Sequence, residues 1–133
     1  MIATIAVATD GSSTAQHAVD AAFELAGRYD AEVVILTAFN SNATVSGGWE
    51  SSSATHAERV LAVAEEAAEA RGLRHGSAMS EGDPAEVIVE LAERQGADML
   101  VIGSVGMHRR VLGSVPNTVT HKATCHVFLV KTD

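Results

Sequence analysis

Short apolar runs of strand length alternate with amphipathic segments of helical period along this chain, and that alternation restricts the fold more than any other feature. Ile2–Ala8 is apolar and β-branched and ends at the turn-and-cap signal Asp10-Gly11-Ser12-Ser13. Thr14–Tyr29 then places Ala15, Ala18, Val19, Ala22, Phe23, Leu25 and Ala26 on one helical stripe, with Ser12 or Ser13 as its N-cap. Glu32–Phe39 is a second strand run. Asn40–Ser53, rich in Ser, Asn and Gly, has no period and reads as a loop. His56–Arg71 carries Val60, Leu61, Ala64, Ala67 and Ala68 on one face and stops at Gly72. His75–Glu81 is a weak strand. Asp83-Pro84-Ala85-Glu86 opens a helix with a cap, a first-turn proline and an early acidic residue, and that helix runs to about Gln95 before Gly96. Met99–Ile102 is a strong strand core, Gly103–Gly113 a loop, Ser114–Ala123 a helix and His126–Lys131 the final strand.

The order β-α-β-α-β-α-β-α-β implies an α/β fold: a doubly wound, five-stranded parallel sheet with helices on both faces, joined by right-handed crossovers. Strands apolar throughout, such as VVILTAF and MLVIG, fit burial on both faces. The 133 residues suit one domain spanning 1–133, and 47% hydrophobic residues are too many for a disordered chain. A net charge of −8 argues against broad, sequence-independent attraction to nucleic acid or anionic membranes. The single cysteine, Cys125, excludes an intramolecular disulfide framework and any multi-cysteine zinc site, and a small buried hydrophobe is its favoured role. No segment approaches the roughly 20 apolar residues that span a bilayer. Met1–Thr9 reads as a strand rather than a secretory signal, so a cytoplasmic protein is expected.

In sheets of this kind ligands sit beyond the carboxyl ends of the strands, where the winding reverses. That directs attention to Ala8–Ser12, Thr37–Phe39 and Ile102–Ser114. The last is the most informative: Gly103 where a strand ends, Gly106 three positions on, and Gly113-Ser114 where a helix begins. Glycine admits positive φ and close approach of a ligand. A helix start offers free N–H groups to a phosphate, and the Ser114 hydroxyl offers a further donor or a ligand for phosphate-bound Mg²⁺. The residues alone leave an alternative open, in which the glycines shape a turn and Ser114 caps the helix.

These segments together resemble the universal stress protein family. The likeness runs through TIAVATDGS, VVILTAF, GDPAEVIVELAERQGADMLVIGS and LGSVPNTVTHKATCHVFLVKT, and so along the whole chain. It implies a flavodoxin-like fold, akin to the adenine nucleotide α-hydrolases, with strand order 3-2-1-4-5 and a dimer through the last strand. It further implies ATP, or AMP or ADP, with Mg²⁺ in the branch whose motif is G-2x-G-9x-G-(S/T). By that resemblance Gly106, Gly113, Ser114 and the Val115 backbone cradle phosphates, with Gly103 against the ribose and Ile102 just before it. Ala8, Thr9, Asp10 and Ala38 line the nucleoside end. The chain departs from the motif in one place: six residues, 107 to 112, stand where the pattern has nine. Ala8 also occupies a position where proline is frequent in the family.

Asp10 at a strand end over the crevice suits hydroxyl or amino groups of a ligand, against the alternative of a helix cap. His108, Arg109 and Arg110 form a local basic cluster that either neutralises phosphate or is a solvated loop. His17, His56, His75, His121 and His126 show no metal-ligand spacing and read as surface or partly buried residues. Trp49 packs over the crevice or a partner, with nothing to choose between them. The strand His126–Lys131 would be an exposed apolar edge in a monomer; either the charged Lys131 and Asp133 protect it, or two such edges pair through Val127–Val130 across a two-fold axis, which removes the liability. A homodimer is therefore expected.

The leading functional reading is an adenine-nucleotide-binding stress or signalling module. The chain has no Gly-rich Lys-Ser/Thr motif, no Ser-His-Asp order of a hydrolase and no obvious general base near the glycine loop. A binding role is preferred to efficient catalysis, with slow hydrolysis left open. The alternative keeps the fold without the ligand, the shortened loop leaving dimerisation and protein contacts as the function. A receiver domain needs an acidic cluster at the first strand, yet Met1–Thr9 is uncharged. A flavin carrier needs ring-sandwiching aromatics, which make up only 4% of the chain.

Overall fold

A computed structural model describes residues 1–41, 53–104 and 114–132. In chain order the elements are β1 (Thr4–Ala8), α1 (Ser13–Tyr29), β2 (Glu32–Phe39), α2 (Ala54–Ala70), β3 (His75–Glu81), α3 (Pro84–Arg94), β4 (Met99–Gly103), α4 (Ser114–Lys122) and β5 (His126–Val130). The strands form one sheet in the order β3-β2-β1-β4-β5, and every neighbouring pair is parallel. The expected fold class and strand order are thus observed.

Alternation along the strands sorts the core into two layers. Ile5, Val7, Val33, Ile35, Met99 and Val101 face α1 and α2. Ala6, Ala8, Val34, Leu36, Ala38, Leu100 and Ile102 face α3 and α4. Both faces being covered, the central strands are almost wholly apolar, Thr4, Glu32 and Thr37 being the exceptions, as parallel sheets favour. Small residues on the helices, Ala18, Ala22 and Ala26 on α1 and Ala64 and Ala68 on α2, bring them close to the sheet. Each large aliphatic side chain sealed between layers contributes about 1.5–3 kcal/mol.

The caps follow the expected chemistry with small shifts. Ser12 Oγ accepts from the Ala15 amide at 3.1 Å, and Asp83 caps α3 by accepting from the Glu86 amide at 3.2 Å. α2 starts two residues before the expected His56, because Ser53 caps it, accepting from the His56 amide at 3.1 Å. β1 starts later than Ile2. The amides of Ala3 and Thr4 donate instead to Asp98 Oδ2, at 2.9 and 3.0 Å, and these bonds hold the Asp98 carboxyl below the usual carboxylate range. Lys122 Nζ lies 3.8 Å from Glu86 Oε1 and links α4 to α3. Cys125 is half-buried, and desolvation raises its thiol pKa, which suits a packing role.

Among the described residues no helix is long and apolar enough to cross a membrane, and no cluster of His, Cys, Asp and Glu is arranged to hold a metal ion. Trp49, His108, Arg109 and Arg110 lie outside the described residues.

Candidate functional site

β1 sits between β2 and β4, with Val7 opposite Ile35 on one side and Val101 on the other. The chain leaves β1 towards β2 and later returns to the far side of β1 as β4. The carboxyl ends of β1 and β4 therefore flank the point where winding reverses, which is where open α/β sheets place ligands. The topology brings Ala8–Asp10 and Ile102–Ser104 side by side at that point.

The β1 end is a tightly bonded turn. The Thr9 amide donates to the Leu36 carbonyl at 3.0 Å, extending the pairing with β2. Thr9 Oγ1 accepts from the Gly11 amide at 3.1 Å, and Asp10 Oδ1 accepts from the Ser12 amide at 2.9 Å. These Asx- and ST-type bonds bend the chain sharply into α1. Asp10 is half-buried and is not the helix cap, a role Ser12 fills. One oxygen of Asp10 thus holds the turn, and the carboxylate retains further acceptor capacity at the crest of the sheet. Gly11 adopts φ +82°, and a Cβ there would lie 2.8 Å from Val60 Cγ2, so α2 packs directly over this turn.

The β4 end is tied to the C-terminal segment. The Ser104 amide donates to the Val130 carbonyl at 2.8 Å, and Ser104 Oγ accepts from the Thr132 amide at 3.1 Å. Ser104 is sealed at 1% exposure. A Cβ on Gly103 would meet Thr132 Cγ2 at 3.0 Å and Ala18 Cβ at 3.8 Å, so Gly103 is small partly because the chain's own tail and α1 close on it. Sequence reasoning missed this anchoring by Ser104 and Thr132. A Ser directly after an apolar strand was the available signal, but its partner lies 28 positions away.

Ala38 and Ile102 are buried on the sheet face that packs against α3 and α4. Ser114 is the exposed first residue of α4, and Val115 packs partly against the core of that face. Gly106 and Gly113 lie outside the described residues. Of the residues anticipated from the sequence, the fold brings Ala8, Thr9, Asp10, Ile102 and Gly103 to the reversal point and starts α4 at Ser114.

The universal stress protein family model matches residues 1–131. A universal stress protein of Mycobacterium tuberculosis is 34% identical over 142 aligned positions, covering 97% of this chain and 96% of that relative. A universal stress protein solved in complex with cAMP is 32% identical and superposes with a TM-score of 0.81 over 99% of this chain and 98% of its own. A universal stress protein from Archaeoglobus fulgidus, solved in complex with dAMP, is 26% identical with a TM-score of 0.76 over 98% of this chain and 100% of its own. With matched family sequence from residue 1 to 131 and the reversal-point architecture in place, this chain belongs to the universal stress protein family.

Proposed function

We propose that this chain is an adenine-nucleotide-binding module acting as a cytoplasmic homodimer in a stress or signalling role. The observation that carries the reading is the paired end of β1 and β4, with the Thr9–Asp10 turn at its crest, in a chain whose structural relatives hold cAMP and dAMP. Ala8, Thr9, Asp10 and Ala38 would take the nucleoside, Ile102 and Gly103 the sugar, and Gly106, Gly113, Ser114 and Val115 the phosphate. The N-terminal end of α4, which begins at Ser114, carries the positive end of the helix dipole and so suits an anion. The motif resemblance points to ATP with Mg²⁺. The six-residue interval between Gly106 and Gly113, together with the single phosphate of both relatives' ligands, favours a nucleoside monophosphate over the triphosphate.

Calorimetry with cAMP, AMP and ATP, each with and without Mg²⁺, tests this. Binding of at least one adenine nucleotide is expected, with the monophosphates tighter than ATP. Asp10→Ala should weaken it about tenfold or more, as loss of one hydrogen bond to a charged group implies. Asp10→Asn, which keeps an acceptor for the Ser12 amide, separates turn damage from lost ligand contact. No binding of any of the three at millimolar concentration would overturn the reading in favour of a protein that acts through contacts alone.

The dimer has its own support. β5 is a sheet edge carrying Phe128 at 42% exposure, an apolar rim of the kind that pairing covers. Light scattering at micromolar concentration should give twice the chain mass, and a strict monomer would refute it.

A further inference from the structure

Glu65 and Glu69 stand one turn apart on α2 and look towards the start of the edge strand β3. His75, the first residue of β3, lies between them: its Nδ1 is 3.2 Å from Glu65 Oε2 and its Nε2 is 2.7 Å from Glu69 Oε2. The imidazole is only 20% exposed, whereas Glu69 is 77% exposed. Ser77, two residues along the same face of β3, donates its hydroxyl to the other oxygen of Glu65 and orients that carboxylate. On the β2 side the register partner of His75 is the buried Val33, which adds no charge. In the turn between α1 and β2, Asp30 is engaged by Arg74, whose Nη2 donates to the Asp30 carbonyl at 2.7 Å and lies 3.8 Å from its carboxylate.

The donor count at His75 decides its state. An ionised carboxylate only accepts, and a neutral imidazole has one N–H. Two carboxylates on two ring nitrogens are both satisfied only by the imidazolium. Loss of the proton turns one contact into a meeting of two acceptors.

We propose that His75 is a proton-operated latch that ties α2 to the edge strand β3 as the imidazolium and releases one of the two carboxylates when it deprotonates. α2 is also the helix whose Val60 packs on Gly11, so the latch governs an element that walls the β1–α1 turn.

The hydrogen bond that the His75 ring donates to Glu69 raises the His75 pKa above its ordinary 6.5, burial opposes this, and Glu65 adds to the rise. The folded chain therefore holds this proton more tightly than the unfolded one. The stabilisation is present in full below about pH 6.5 and is lost as pH rises through the folded-state pKa.

NMR titration of the His75 ring carbons in the intact, nucleotide-free protein tests the latch. The ring should titrate above 6.5, and Glu69→Gln should bring its midpoint down towards that value. The urea midpoint should fall between about pH 6 and about pH 9, and His75→Gln should flatten that fall. Should His75→Gln fail to fold, Glu65→Gln, which should lower the ring's midpoint as Glu69→Gln does, replaces it. A ring titrating at or below 6.5, or one indifferent to both glutamate substitutions, overturns the proposal. No nucleotide enters these measurements, so their outcome is independent of whether the reversal point binds one.

Discussion

Truncating Leu100 to alanine is expected to lower the unfolding free energy by about 3 kcal/mol. Leu100 is fully buried within β4, between Ala6 of β1 and Val127 of β5. It projects into the layer built by Leu36, Ile88, Leu91 and Val119. Its strand neighbours are held by sheet hydrogen bonds and cannot slide into the vacated space, so most of the lost side-chain volume stays as a cavity. For a chain of this length the loss corresponds to a fall in Tm of about 10 °C. Val63→Ala provides the contrast: Val63 is 68% exposed on α2 and its truncation should cost no more than about 0.5 kcal/mol. Urea unfolding of both variants checks the pair, and a Leu100 penalty no larger than that of Val63 would contradict the two-layer core.

Gly11→Val should be comparably damaging, by about 3 kcal/mol, for two separable reasons. The residue holds φ +82°, where a β-branched side chain is strained, and a Cβ would stand 2.8 Å from Val60 Cγ2. Val60 is short and branched, with no flexible end to swing aside, so the overlap is relieved by moving α2 or the β1–α1 turn. Either movement disturbs the hydrogen bonds of Thr9 and Asp10, so the adenine-nucleotide binding proposed for this turn should weaken together with stability. Gly27→Ala is the control. Gly27 lies on the exposed side of α1 with no atom within 4 Å of an added Cβ, and alanine there should stabilise by about 0.5–1 kcal/mol. Opposite signs for two glycines, one just before α1 and one within it, would show that backbone conformation and close approach set the cost, not glycine replacement as such. Equal effects on Tm would sink that explanation.

Much of this architecture is readable in the residues. Glu32–Phe39 and His75–Glu81 occupy the spans expected of them, because strand runs bounded by Asp30-Ala31 and Asn40, or by Gly72 and Gly82, leave few other choices. The α3 start is equally plain, since Asp83, Pro84 and Glu86 combine a cap, a fixed φ and a favourable charge within one turn. Boundaries shift where a partner distant in sequence intervenes. β1 begins after Ala3, whose amide donates to a carboxylate 95 positions away, and nothing local signals that contact. Gly103 reads from sequence as a ligand-facing glycine, while the fold adds a packing reason in Thr132 and Ala18.

What the sequence determines alone is the succession of strands and helices and the two-sided burial of the central strands. Both follow from side-chain periodicity, which acts over a few residues, and together they dictate a doubly wound parallel sheet. Only the tertiary structure decides which groups meet: Asp98 with the amides of Ala3 and Thr4, Ser104 with Thr132, His75 between Glu65 and Glu69, and Val60 over Gly11. Those meetings depend on strand register and on how each helix settles across the sheet. Register and helix placement are fixed by packing the whole core at once, so no local pattern encodes them.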